Sequence, residues 1–91
     1  MSKILQDVNV GDNLRKFREQ KNLTQSEVCA QLAIMGRPML QSNYSQIENG
    51  TRNIFASDLI ALKKIFSVSI DDIFEGLEPV NKYDLKEKSE K

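Results

Sequence analysis

The sequence predicts an all-α fold, a compact domain of five short helices, because apolar residues recur at helical spacing along most of its 91 residues. Capping signals and turn residues divide this pattern into five segments. No strand pattern of useful length and no internal repeat interrupts it. We expect one small domain at residues 10–77, preceded by an N-terminal arm at 1–9 and followed by a charged, flexible tail at 78–91.

The first helix is predicted by three apolar residues that recur at intervals of four and three. They are Val10, Leu14 and Phe17, and this spacing places them on one helix face. Asn22 is expected to end the helix, since asparagine tolerates the left-handed conformation found at helix C-termini.

The second helix is predicted to begin at Thr24, because Glu27 follows three residues later and completes a capping box. Its inward face comprises Val28, Cys29, Leu32 and Met35. Gly36 is expected to stop it, and Pro38 disfavours helical backbone in the residue before it.

The third helix is predicted to run from Leu40 to Asn49, with Leu40, Tyr44 and Ile47 facing the core. Its outward face carries only short polar side chains: Gln41, Ser42, Ser45, Gln46 and Asn49. Exposed helix faces usually carry lysine and glutamate, whereas amides and hydroxyls can hydrogen-bond to base edges in the major groove of DNA. This face is therefore either a DNA-reading surface or a merely polar one.

The last two helices follow a polar loop at Thr51, Arg52 and Asn53. The fourth helix has the apolar residues Leu59, Leu62, Ile65 and Phe66. The fifth is short and is predicted to begin at Ser69. Asp71 and Asp72 follow, and acidic residues are favourable near a helix N-terminus. Its inward residues are Ile70, Ile73, Phe74 and Leu77, and Gly76 can close it.

Composition excludes several classes of site. The chain has no histidine, so Ser-His-Asp and Cys-His nucleophilic sites and most transition-metal sites are excluded, and we expect neither an enzyme nor a cofactor. Its one cysteine, Cys29, cannot form an internal disulfide and fits a reducing, cytoplasmic compartment. No membrane span or signal-peptide core is evident, so no membrane association is expected.

The net charge is zero but is unevenly distributed. Up to Lys64 there are nine basic and six acidic residues, whereas the remainder has four lysines and seven acids. A mildly basic body suits a nucleic-acid partner, although ordinary scatter of surface charge would give the same count.

Two consecutive helices joined by a turn suit a helix-turn-helix, in which the second helix enters the DNA groove. The segments VGDNLRKFREQKNLTQSEVCAQL, NYSQIENGTRN and LIALKKIFSVSIDDIF resemble the phage repressor and Cro (Xre-like) helix-turn-helix family. The resemblance covers Val10 to Leu77. It implies a lambda-repressor-like domain that binds palindromic operators in double-stranded DNA as a homodimer.

The resemblance also implies roles for individual residues. Those matching the base-reading positions are Gln41, Ser42 and Gln46, with Asn43 and Ser45 beside them. Those matching phosphate contacts are Thr24 and Gln25 at the second helix and Thr51, Arg52 and Asn53 in the loop. Arg18 and Glu48 match an ion pair between the first and third helices. Cys29 occupies a position that is usually alanine, and we interpret it as core packing.

The sequence departs from the family pattern between Leu32 and Tyr44, where it is several residues longer. Ala33 occupies the position of the usual turn glycine, which predicts a lengthened second helix and a longer turn ending at Gly36 and beyond. Leu40 stands where a serine cap is common.

Two functions are consistent with these features. The first is a sequence-specific DNA-binding transcriptional regulator, expected to be a repressor. The second is an antitoxin-like or anti-repressor module that uses the same fold to bind protein, through apolar residues of the fifth helix. The length leaves no room for a ligand-sensing domain, so no small-molecule substrate is expected.

Overall fold

The computed structural model describes residues 3–4 and 9–77, and this part of the chain forms five helices and one short pair of strands. The predicted tail at 78–91 and most of the predicted arm lie outside these residues. In chain order the elements are β1 (Lys3–Ile4), α1 (Gly11–Gln20), α2 (Gln25–Ile34), α3 (Gln41–Asn49), β2 (Ile54–Phe55), α4 (Ala56–Phe66) and α5 (Ile70–Ile73). The five-helix fold is confirmed, whereas the domain limits stay a prediction.

The predicted helix stops adopt left-handed backbone. Asn22 has φ +57° and Gly36 has φ +82°, each just after its helix. At Gly36 the next amide, that of Arg37, donates to the Leu32 carbonyl at 2.8 Å, and the Gly36 amide donates to Ala33 at 3.1 Å. These two bonds form a Schellman motif, which satisfies the last carbonyls of α2.

Both predicted helix starts with acidic partners are capped reciprocally. Thr24 Oγ1 accepts from the Glu27 amide at 3.1 Å, while the Thr24 amide donates to Glu27 Oε1 at 2.8 Å. Ser69 and Asp72 exchange the same two bonds, each at 3.0 Å, at the start of α5. Short helices benefit because these caps satisfy amides that have no partner inside the helix.

The structure adds to the five helices a pair of two-residue strands, which the sequence did not predict. β1 and β2 pair antiparallel, with Lys3 opposite Phe55 and Ile4 opposite Ile54. Strands of two residues are too short to show the alternation that identifies a strand in sequence. The pairing places β1, which precedes α1, alongside β2, which lies between α3 and α4.

The core contains most of the predicted apolar faces. Its buried residues are Val10, Leu14, Phe17, Val28, Leu32, Tyr44, Ile47, Ile54, Leu59, Ala61, Leu62, Phe66 and Ile73. Cys29, Ile65, Ile70, Phe74 and Leu77 are partly buried and pack against this core. The fifth helix is therefore mainly a core element, and its apolar residues offer less exposed surface than the protein-interaction hypothesis requires.

Two residues predicted to face the core lie outside it. Leu40 is 70% exposed, because it precedes α3 in extended backbone and so does not share the helical direction of Tyr44 and Ile47. Met35 is 40% exposed, since it lies at the end of α2, where the chain turns away from the core.

Candidate functional site

The orientation of α3 is fixed from its inward face. Tyr44 and Ile47 are 0% and 1% exposed, so the opposite face of this helix must point outward. Gly50 ends the helix with φ +80°, and the Thr51 amide then donates to the Gln46 carbonyl at 2.9 Å. The result is a short helix with one anchored face and one free polar face.

The predicted base-reading residues lie on this helix but are not equally accessible. Gln41, Ser42 and Gln46 are exposed, whereas Asn43 and Ser45 are half-buried. The first three side chains can therefore meet a partner without any movement of the helix. Their role in base reading stays a prediction.

The turn before α3 is longer than a simple helix-turn-helix connection, and α2 continues one residue past Ala33. Met35 and Gly36 turn the chain, and residues 37–40 lead into α3. Leu40 has the extended backbone of an N-cap, with φ −68° and ψ 143°, but its side chain makes no cap hydrogen bond. The lengthened turn therefore brings an apolar side chain to the start of α3.

Arg37 fixes this turn to the start of α4. Its Nε donates to Asp58 Oδ1 at 2.7 Å, and its guanidinium lies 6.0 Å from the centre of the Phe55 ring. Asp58 is only 3% exposed, so its carboxylate depends on this partner. The sequence reasoning missed Arg37, because its partner Asp58 lies 21 residues away and no local pattern connects the two.

The Glu48 carboxylate, near the C-terminal end of α3, is the centre of a polar network. Arg18 grips it bidentately, with Nε at 2.7 Å from Oε2 and Nη2 at 3.1 Å from Oε1. Gln25 Nε2 donates to Oε1 at 3.1 Å. Glu48 is 0% exposed. Its carboxylate therefore joins α1, α2 and α3 at a site that solvent does not reach.

The electrostatics of this network favour a charged Glu48. Burial alone would raise the pKa of the Glu48 carboxyl, but Arg18 first, and then Tyr44 and Gln25, outweigh burial and hold that pKa below its ordinary value. The bond to Glu48 likewise raises the pKa of Arg18. Burial, reinforced by the adjacent Glu48 carboxylate, raises the pKa of Tyr44, so its hydroxyl stays protonated.

Arg15 connects the same network to Asn49, the last residue of α3. Its Nε lies 3.6 Å from Glu48 Oε1, and its Nη2 donates to Asn49 Oδ1 at 3.2 Å. The Arg15 side chain remains 41% exposed. Sequence reasoning missed it, although its position one helical turn before Arg18 was a usable signal.

The predicted phosphate-contacting residues occupy two places. Thr24 and Gln25 lie at the N-terminus of α2, where the Thr24 hydroxyl serves the capping box and one Gln25 N–H serves Glu48. Thr51, Arg52 and Asn53 follow α3, and the Thr51 hydroxyl donates to the Gln46 carbonyl at 3.3 Å. Arg52 is exposed and Asn53 half-buried. Their contacts with DNA stay a prediction.

A shallow groove runs from the turn before α3 to the loop after it. It is lined by residues of the turn before α3, of α3 itself and of the loop after it: Arg37, Pro38, Met39, Leu40, Asn43, Ile47, Arg52, Asn53, Phe55 and Asp58. Within residues 3–4 and 9–77, no cluster of three Asp, Glu or Cys side chains could hold a metal ion. No helix in the same part of the chain is long and apolar enough to cross a membrane.

Comparisons with known proteins agree with this geometry. A family model described as helix-turn-helix matches residues 14–73. The fold is similar to the crystal structure of the restriction-modification controller protein C.AhdI from Aeromonas hydrophila, with a TM-score of 0.63 and 22% sequence identity. That match covers 74% of this chain and 94% of the other. No curated protein shows significant sequence similarity to the chain.

Proposed function

Because this chain belongs to the helix-turn-helix family of DNA-binding transcriptional regulators, we propose that it recognises a specific operator with α3 in the major groove and represses transcription there. The observation that carries the proposal is the uncharged outward face of α3. Gln41, Ser42 and Gln46 are exposed there, and their amides and hydroxyl match the donors and acceptors of base edges.

We propose that the surrounding elements supply the sequence-independent part of binding. Arg52 is exposed in the loop after α3, where a guanidinium can pair with a phosphate. At the start of α2 the Thr24 amide already donates to Glu27, and the Gln25 amide is of the kind that binds phosphate at helix N-termini. Such contacts position the protein on the duplex, while α3 discriminates between base sequences.

We further propose that the protein acts as a homodimer on a palindromic site in the cytoplasm, and that its function is binding rather than catalysis. A single recognition helix contacts few base pairs, so two copies on a symmetric operator increase both affinity and specificity. The alternative, a protein-interaction module without operator preference, is weakened by the burial of Ile73 and partial burial of Phe74.

The experiment that tests this proposal is selection of bound duplexes from a random-sequence DNA library, followed by titration of the selected duplex at several salt concentrations. A DNA-binding regulator should enrich one motif and bind it with a steep salt dependence. Arg52→Ala should weaken binding to selected and scrambled duplexes alike and flatten the log–log salt slope by about one. Lys64→Ala on α4 removes the same charge elsewhere and is the matched control. Failure to enrich any motif would refute operator recognition.

A further inference from the structure

Leu40 exposes most of its side chain at the start of α3. It is 70% exposed, because the extended backbone before α3 directs its side chain away from the core. Single exposed apolar residues are common on protein surfaces, so exposure alone assigns nothing. What distinguishes Leu40 is its place, between the lengthened turn and the predicted base-reading residues.

The side chain of Leu40 does not cap the start of α3. Its backbone has the N-cap conformation, and its carbonyl accepts from the Asn43 and Tyr44 amides at 3.0 Å each. A serine at this position could also accept a bond from a free amide, as Thr24 does for α2, but leucine has no acceptor. Residues that break a local stability rule are expected at functional positions.

Leu40 also borders the surface proposed to meet DNA. It lines the groove that is shared by Asn43 of α3 and by Arg52 and Asn53 of the following loop. It immediately precedes Gln41 and Ser42. In helix-turn-helix proteins the N-terminal residues of the recognition helix are those that contact base edges.

We propose that Leu40 recognises the C5 methyl group of a thymine in the major groove. The inference rests on the proposed function and adds to it an apolar reader beside the polar ones. Among the base edges in that groove, the thymine methyl is the apolar group, and apolar side chains read it by contact. Leu40 thereby selects thymine over cytosine at one position of each half-site.

The test uses the duplex selected by the wild-type protein, with each thymine replaced singly by deoxyuridine, which removes only the methyl group. Burial of one methyl group corresponds to about a fourfold change in affinity, so one position per half-site should show about that loss. Leu40→Ala should bind the unmodified duplex about fourfold or more weakly and show no further loss at that position. Ile34→Ala, which truncates an 85% exposed residue at the end of α2, should keep the full deoxyuridine effect.

A second variant separates recognition from stability. Leu40→Ser supplies the missing cap and should raise the melting temperature by about 4–8 °C, yet it should lose the thymine preference as Leu40→Ala does. Opposite changes in stability and binding are not expected of a purely structural residue.

Two outcomes overturn this inference. One is that Leu40→Ala keeps the full deoxyuridine effect, and a change in the sedimentation of the free variant would then assign Leu40 to a protein interface. The other is that no thymine shows an effect with the wild-type protein. In both cases the selected duplex still binds, so the proposed function stands. Its own failure is recognised separately, by the absence of any selected duplex.

Discussion

Gly11 of α1 lies directly against the backbone of Glu48 in α3, with no space between them for a side chain. A Cβ atom on Gly11 would overlap the Glu48 carbonyl oxygen and would lie 2.6 Å from the Ile47 carbonyl oxygen. The Gly11 amide donates to Asn9 Oδ1 at 2.7 Å, and the Asn9 side chain occupies the space beside Gly50. The start of the first helix is thus packed directly against the end of the third.

This contact predicts that Gly11→Ala destabilises the protein. Replacing glycine by alanine within a helix normally increases stability by about 0.5–1 kcal/mol. Here the added methyl meets backbone that cannot rotate away, so we expect a loss of about 1–3 kcal/mol in the free energy of unfolding. Urea denaturation measures it, with Glu19→Ala on the exposed face of the same helix as control. Equal stability of Gly11→Ala and wild type would contradict the close approach.

Arg18 and Glu48 should be strongly coupled. Arg18→Met leaves a buried carboxylate with only Gln25 and the more distant Arg15, and should lower the free energy of unfolding by about 3 kcal/mol. Adding Glu48→Leu should recover part of that loss, because no buried charge then remains. Thermal or urea melting of both single variants and the double variant gives the coupling energy. Strictly additive losses would mean that the two residues act independently.

The same network predicts a loss of stability in acid. The pKa of the Glu48 carboxyl is lowered from 4.5, so the unfolded state binds more protons than the folded state in the acid range. The stabilisation is complete above the unfolded pKa and is lost as the pH falls through the folded pKa. Glu48→Gln should flatten the decline in stability below pH 4.5.

Asp72 provides the comparison for this pH experiment. Hydrogen bonds from Ser69, the backbone amide first, lower the pKa of the exposed Asp72 carboxyl in the same direction. Because Asp72 is fully solvated, Asp72→Asn should alter the acid decline less than Glu48→Gln does. An acid decline that is identical in wild type and Glu48→Gln would exclude Glu48 as a source.

Gln46 is expected to read a base. It lies between the core residues Tyr44 and Ile47, which fix the direction of its side chain whatever the turn does. A bidentate amide contact contributes about 1–3 kcal/mol of discrimination, so Gln46→Ala should bind the selected duplex about tenfold or more weakly, with little change on scrambled DNA. Its melting temperature should stay within the error of the measurement. Retained preference for the selected duplex would remove Gln46 from the reading surface.

Arg37 should stabilise the turn before α3. Arg37→Met removes the guanidinium from the Asp58 carboxylate, and we expect the free energy of unfolding to fall by about 2–3 kcal/mol. The loss should be below that of a fully enclosed pair, since Arg37 is partly exposed. Lys21→Met, at an exposed position after α1, is the matched control. Similar stability of the two variants would show that Asp58 does not need Arg37.

The sequence by itself determined the helices, because helix starts and stops are local. Thr24 with Glu27, Ser69 with Asp72 and the left-handed positions at Asn22 and Gly36 act within one turn of chain, so their residue types suffice to predict them. The inward residues Leu14, Tyr44 and Ile47 followed from the 3.6-residue repeat for the same reason.

Tertiary structure decided the features that depend on residues far apart in the chain. The pairing of β1 with β2, the Arg37–Asp58 contact and the fit of Gly11 against Glu48 have no local signal. The exposure of Leu40 belongs with them: its spacing matched the inward face, but the path of the lengthened turn placed it outside the helix. Periodicity fixes a direction only where the backbone is already helical, and how the chain enters a helix is set by the elements packed around it.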